Sequence, residues 1–364
     1  MPRVCVVGPL PPPSGGMANQ CEQLVRLLRQ EGVNVELVRS NSPYRPAWVG
    51  GIPVLRAFFR LVPFLFALWR AAGRAQVMHV LANSGWAWHL FAAPALLIGR
   101  LRGVPVIVNY RGGEADQFFS AAPRHVLASL RRAASCVTPS PFLERVFLRH
   151  GLTAEVIPNI VDVGRFSPHP LRDFGDAPRL IVARNLEPIY DIPTALRAFA
   201  EIRRHLAGAR LTVAGTGAEL GRLRELAQQL GIADAVDFPG RIDNADMPQL
   251  YARTDCALNA STVDNMPISL LEAFASGVPV VSTDAGGIPD LVDHGITGLL
   301  VPVGDADAMA QAALRLLQDR ALATRLTGAA LTQSRAYEWA QVRERWFDAY
   351  RRAVSRAAMR GSHA

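Results

Sequence analysis

The sequence predicts an α/β protein built from two doubly wound, Rossmann-like domains in tandem. Three observations lead there. Short β-branched runs alternate with longer segments of helical period along nearly the whole chain. Those runs are apolar almost throughout, as parallel strands covered on both faces must be. The alternation lapses once, in the proline-bearing segment 159–177, and then restarts. A chain of 364 residues is also too long for one ordinary core and comfortable for two.

In the first half, residues 4–8, 33–38, 75–80, 105–109, 136–139 and 154–157 read as buried strands, with helices such as 17–30 and 86–101 between them. After the lapse, strands are expected at 179–183, 210–214, 236–238, 256–259, 278–282 and 298–301, with a helix at 192–206. This gives domains at 1–168 and 169–340, leaving a cleft onto which the carboxyl ends of both sheets open. The last helical stretch, 337–359, is arginine-rich, and its 341–360 portion is expected to pack back on the first domain.

Every basic side chain is arginine, 39 of them against 31 acids, for a net charge of +8. The excess is uneven: residues 1–165 hold 18 Arg and 8 acids, a net +10, whereas 166–364 hold 21 Arg and 23 acids, a net −2. A basic first half suits an anionic partner, a phosphate ligand or a lipid surface. Nucleic acid is not expected, because no basic run is interleaved with aromatics. Cys5, Cys21, Cys136 and Cys256 are scattered and read as small core residues, against a disulfide framework or zinc site. The opening MPRVCVVGPL has no signal-peptide pattern and no stretch reaches a membrane span, so a cytoplasmic protein is expected. One segment, 52–70, is very apolar with Arg56, Arg60 and Arg70 on roughly one helical side, leaving Leu, Phe and Trp on the other. It reads as a basic amphipathic helix for an anionic membrane surface, or as a buried helix whose arginine stems snorkel.

Three loops are candidates for the chemistry. The first, GPLPPPSGGM, places Gly15 and Gly16 before a helix start, where free N–H groups attract an anion. The second, VAGTGAEL, places Gly215 and Gly217 between a strand and a helix, an arrangement that a plain tight turn also explains. The third runs from Asn259 to Val292. There Pro267 suits the first turn of a helix and Asp264 or Asn265 its cap, so the helix amides face the cleft and suit a diphosphate. Glu272 follows Asp264 by eight residues, so the two carboxylates share a side only if Asp264 sits just outside the helix. Gly286-Gly287 provides another close-approach turn.

With these pieces in order the chain resembles the family 4 retaining glycosyltransferases of GT-B fold over essentially residues 3–340. The resemblance is carried by the early PxxGG loop, VIVNYRGGE, PNIVDVGRF, ARNLEP, VAGTGAE, FPGRI and the DNMPISLLEAFASGVPVV, GGIPD and GITGLLV series. It implies a nucleotide-sugar donor bound by the second domain, a glycan or lipid-linked acceptor on the first, and retention at the anomeric carbon without a required metal or other cofactor. By the same resemblance Glu272 holds the donor ribose hydroxyls, and Asp264, where the family usually has Glu, contacts the donor sugar. Arg184 binds the diphosphate, Gly16 approaches it, and Asn265, Met266 and Pro267 surround sugar and phosphate. Arg241 and Ile242 lie where the base is contacted. The family's Lys some five residues after the Arg is absent from Glu187, Pro188, Ile189 and Tyr190. Arg111 is expected to supply compensating charge, at a place where the family often has His, and Glu114 to orient the acceptor or serve as a surface acid. These departures leave open a catalytically impaired donor-binding partner in a polysaccharide assembly complex, and a sugar-nucleotide epimerase of the same fold.

Overall fold

The runs 4–8, 77–82 and 106–110 become interior strands buried at every residue, as strands with both faces covered must be. The computed structural model describes residues 1–12, 15–43, 53–168, 170–171, 173–175 and 177–361. The chain divides into two compact units, Met1–Ile160 with Val342–Ala364, and Val161–Gln341.

In the first unit β1 (Val4–Gly8), α1 (Gly16–Gln30), β2 (Val35–Arg39), α2 (Pro53–Ala72), β3 (Val77–Ala82), α3 (Ala93–Leu101), β4 (Val106–Tyr110), α4 (Ala115–Ala121), α5 (Arg124–Arg131), β5 (Ser135–Thr138), α6 (Pro141–Arg149) and β6 (Glu155–Val156) follow in order. Their strands form a six-stranded parallel sheet, β2-β1-β3-β4-β5-β6. In the second unit come β7 (Arg179–Ala183), α7 (Ile192–His205), β8 (Arg210–Ala214), α8 (Leu220–Gln229), β9 (Val236–Gly240), α9 (Met247–Ala252), β10 (Cys256–Asn259), α10 (Ile268–Ala275), β11 (Val280–Thr283), β12 (Leu299–Val301), α11 (Ala306–Gln318) and α12 (Arg320–Ser334); the last helix, α13 (Trp339–Gly361), begins there and from Val342 on belongs to the first unit. The second sheet is also parallel, β12-β11-β10-β7-β8-β9. Both orders are doubly wound, so each sheet has its loops for chemistry at the carboxyl ends of its strands.

Four local features differ from expectation. The division falls after Ile160 rather than at 168/169, because Gln20 on α1 both donates to the Ile160 carbonyl (2.7 Å) and accepts from its N–H (2.9 Å), while the Val161 N–H turns to the Tyr337 carbonyl. The helix expected over 86–101 opens as a π turn, Trp88–Ala92, in which the Ala93 N–H reaches the Trp88 carbonyl five residues back. Pro94, with no N–H to give, follows immediately. α10 starts one residue past Pro267, which is its cap in extended backbone, and no side chain caps it.

The fourth is α2. Ile52 and the side chain of Arg56 lie outside the described residues. The rest of the helix has three stripes rather than two: Phe64, Leu68, Ala71 and Ala72 enter the core, Arg60 and Arg70 lie along another side, and Phe58, Val62, Phe66 and Trp69 face outward. The outward stripe is therefore apolar, and the apolar side is shared between core and surface. Among the described residues no helix is long and apolar enough to cross a membrane.

The cysteines are free and buried, as expected of core residues. Residues of α13 from Val342 on belong to the first unit, where Trp346 and Tyr350 are buried and His79 of β3 lies against both. The Tyr350 hydroxyl is 2.8 Å from His79 Nδ1, and Asn109 holds the other ring nitrogen at 3.1 Å. Burial, aided by Arg111, pushes the His79 pKa down to about 3, so the ring is neutral. Trp346→Ala is expected to cost about 3–5 kcal/mol, as large core truncations do; urea unfolding checks it, and an unchanged midpoint would mean that α13 is not part of this core.

Candidate active site

The carboxyl ends of β7 and β10 meet at Arg184. Its backbone N–H bonds the Ala214 carbonyl at the end of β8, which fixes where the side chain begins. From there Nε donates to Asn259 Oδ1 (3.0 Å), Nη2 pairs with the Asp264 carboxylate, and the guanidinium lies 4.8 Å over the Tyr190 ring. The Arg184 and Asp264 side chains are only 12% and 14% exposed. Burial lowers the Arg184 pKa against the attraction of Tyr190, Tyr251 and Glu272.

Asp264 is held from all sides. Its Oδ1 accepts from the Asn265 N–H (2.8 Å), Ser261 Oγ approaches Oδ2, and its carbonyl accepts from the Gly287 N–H (2.7 Å). Gly286 has φ +59, and a Cβ there would lie 2.3 Å from the Asp264 carbonyl oxygen, so the Gly-Gly turn is required by this contact. Asp264 thus does not cap α10 as the sequence suggested: Arg184 and the adjacent amide have taken its carboxylate. The loop is braced again from the chain after β7, since the Thr262 N–H and hydroxyl both reach the Ile189 carbonyl.

Past that loop, the amides of Ile268 and Ser269 precede the first helical bonds, which Leu270 and Leu271 give to the Pro267 carbonyl. They are the open donors of this helix mouth. The Asn265 and Met266 side chains are buried beside it. Glu272, one turn further on, is surrounded by Tyr251, Arg165 and Arg184. Burial pushes its pKa up to about 7; Arg165, a hydrogen bond from Tyr251 and Arg184 pull it back. The one hydroxyl hydrogen of Tyr251 is shared between this carboxyl and the Ser269 carbonyl, which lies 2.9 Å from the hydroxyl oxygen.

The second unit therefore brings together Arg184, Asp264, Asn265, Met266, Pro267 and Glu272. Gly215 and Gly217 have a packing duty: a Cβ would lie 1.8 Å from the Arg184 carbonyl oxygen and 2.2 Å from that of Leu186. They let the β8–α8 loop press against the strand end that carries Arg184. Arg241 pairs with Asp243 at 3.1 Å, and Ile242 packs, partly buried, against the core of the second unit. In the first unit Gly15 precedes α1 in extended backbone and Gly16 opens the helix. Arg111 follows β4; its guanidinium is buried against Asn159, and no carboxylate pairs with it among the described residues. Burial lowers its pKa to about 10. Glu114 sits exposed at the start of α4 without a side-chain cap bond. No group of three or more His, Cys, Asp or Glu suited to a metal ion occurs among the described residues.

Residues 167–333 match the family described as Glycosyl transferases group 1, and residues 14–165 match Glycosyltransferase Family 4. A GDP-mannose-dependent alpha-(1-6)-phosphatidylinositol monomannoside mannosyltransferase of Mycobacterium tuberculosis is 33% identical over 71% of this chain and 72% of its own. The chain is a family 4 glycosyltransferase. Solved structures agree on a GT-B fold: sucrose-phosphate synthase of Thermosynechococcus elongatus superposes with a TM-score of 0.77 over 97% of this glycosyltransferase and 99% of that chain, at 20% identity. Anabaena HepE, solved with UDP, gives 0.72 over 95% and 98%, at 17% identity.

Sequence reasoning passed over Arg165, Tyr190 and Tyr251. Arg165 sits in PNIVDVGRF, a segment that carries part of the family resemblance without pointing to a role for this residue, yet it neighbours Glu272 and donates to the Asn244 carbonyl. Tyr190 was visible as the residue in the region of the missing Lys, but its stacking on Arg184 depends on a three-dimensional approach.

Proposed function

We propose that this glycosyltransferase moves a hexosyl group from a nucleotide-sugar donor, with retention, to a glycan or lipid-linked acceptor in envelope or exopolysaccharide biosynthesis, in the cytoplasm and without a metal ion. The observation that carries the reading is the buried Arg184 placed among the Asp264 carboxylate, the Glu272 carboxyl and the open amides of α10. A diphosphate gains charge as its bond to the anomeric carbon breaks. A guanidinium fork and helix amides already in place stabilise that charge without reorganising; one such donor is worth roughly 3–4 kcal/mol. Glu272 in its ionised form accepts from the ribose hydroxyls. Asp264 orients the sugar with whatever acceptor capacity Arg184 leaves. The acceptor oxygen then bonds to the anomeric carbon on the face from which the diphosphate departs, and its proton passes to the leaving phosphate oxygen.

The test is a panel of UDP-, GDP-, ADP- and dTDP-sugars scored by thermal shift, then by release of nucleoside diphosphate in the presence of membrane extract. Stabilisation with release supports the transferase; no stabilisation by any of the panel overturns the donor site. A specific observation keeps a second reading, the impaired donor-binding partner: Arg184 is already neutralised by Asp264, and Tyr190 rather than a second cation lies beside it. Stabilisation without release under any acceptor condition would favour it. Cys256→Ser, in the core of β10 and away from these groups, is expected to leave the donor-induced shift intact, though the apo melting temperature falls.

A further inference from the structure

We propose that the outward face of α2, continued by the end of α3, is a docking surface for an anionic lipid bilayer. α2 exposes Phe58 (59%), Val62 (47%), Phe66 (64%) and Trp69 (42%) at successive turns, while its opposite side is committed to the core. α3, which packs against α2, exposes Leu97 (58%) and Leu101 (64%) one turn apart. The two are joined where Arg102, just past α3, lays its guanidinium 4.9 Å over the Trp69 ring. A soluble surface seldom lines up large apolar side chains in this way without a partner.

Charge identifies the partner. Residues 37–113, which contain both helices, hold nine arginines and not one Asp or Glu. Arg74 is matched by Glu36 just outside that stretch, but Arg70, Arg100 and Arg102 are exposed beside the apolar stripe with no carboxylate partner among the described residues. Arg70 lies 5.7 Å over the Phe66 ring, so cation and apolar surface are presented together. An interfacial helix needs this combination: aromatic rings that settle at the acyl boundary, and arginines that remain at the level of anionic headgroups. No described helix can cross the membrane, so the association is peripheral. A partner protein with an acidic rim would have to supply both apolar area and many carboxylates, whereas an anionic leaflet supplies both without a dedicated fold.

Flotation of the full chain with vesicles tests this. The wild type is expected to float with phosphatidylcholine vesicles containing phosphatidylglycerol, to remain below pure phosphatidylcholine, and to be released by high salt. Phe66→Ser with Trp69→Ser should lower the partition coefficient by about tenfold or more. Arg70→Glu with Arg100→Glu should lower it by about fivefold for each arginine removed, and further through the added acids. All these side chains are solvent-exposed, so circular dichroism and the donor-induced thermal shift should be unchanged. The outcome is thereby separate from that of the donor site, which has its own readout. Failure of the wild type to float with anionic vesicles, or equal flotation of either variant, would overturn the proposal. So would a dimer in sedimentation equilibrium that Phe66→Ser with Trp69→Ser dissolves without any vesicle binding, since the face would then join two copies.

Discussion

Arg184→Ala is expected to remove donor-induced stabilisation altogether and to lower the melting temperature of the free protein by about 10 °C. The two losses have different causes. The guanidinium ties together Asn259, Asp264 and Tyr190, and its removal leaves the nearly buried Asp264 carboxylate without a cation. Breaking one side of a buried pair costs about 3–5 kcal/mol, because the other charge remains in a poorly solvating place; a domain of this size loses roughly 2–4 °C per kcal/mol. Combining Arg184→Ala with Asp264→Ala should therefore recover much of the melting temperature, since no orphaned charge remains, while the donor still fails to bind. Arg184→Lys keeps the charge and loses the fork that reaches Asn259 and Asp264 together, so an intermediate melting temperature and a weakened donor shift are expected. A full donor shift in Arg184→Ala would remove Arg184 from the binding machinery.

Glu272→Gln is expected to flatten the pH dependence of stability near neutrality and to remove the pH dependence of donor binding. The Glu272 carboxyl has a pKa of about 7 in the folded protein, chiefly through burial, against 4.5 ordinarily. A raised carboxyl pKa means that the fold favours the protonated form. Its contribution is therefore complete below about 4.5 and is lost as pH rises through about 7, a total on the order of 3 kcal/mol. The neutral His79 works in the opposite direction: its folded pKa of about 3 lies below the ordinary 6.5, so stability is lost as pH falls below that value. The informative quantity is accordingly the difference between wild type and Glu272→Gln across pH 4.5–7. Donor affinity has the other sign. Ribose hydroxyls donate to the ionised carboxylate, so affinity should rise as pH passes through 7, and the glutamine variant should bind about tenfold or more weakly at alkaline pH. Calorimetric titrations at several pH values check this; an affinity independent of pH in the wild type would place the ribose elsewhere.

How much of this was legible in the chain depends on how local the cause is. The alternation of apolar runs and helical segments, together with the glycine and proline punctuation, was enough for two parallel sheets and for strands within a few residues of their ends. Periodicity and turn chemistry act over short spans, so any reader of the sequence sees them. The candidate residues from Asp264 to Glu272 stand close together in the sequence, because one loop and one helix carry them. Tertiary structure alone decided the rest. It set the Arg184–Asp264 pair, whose members are eighty positions apart, and with it the loss of Asp264 as a helix cap. It assigned Gly215 and Gly217 to packing, brought Arg165 and Tyr251 against Glu272, and divided the apolar side of α2 between core and surface. A carboxylate, a glycine or an aromatic ring has several partners compatible with its local pattern. Which one it takes is settled by what the opposing strand or helix leaves unsatisfied, and that information exists only once the chain has closed on itself.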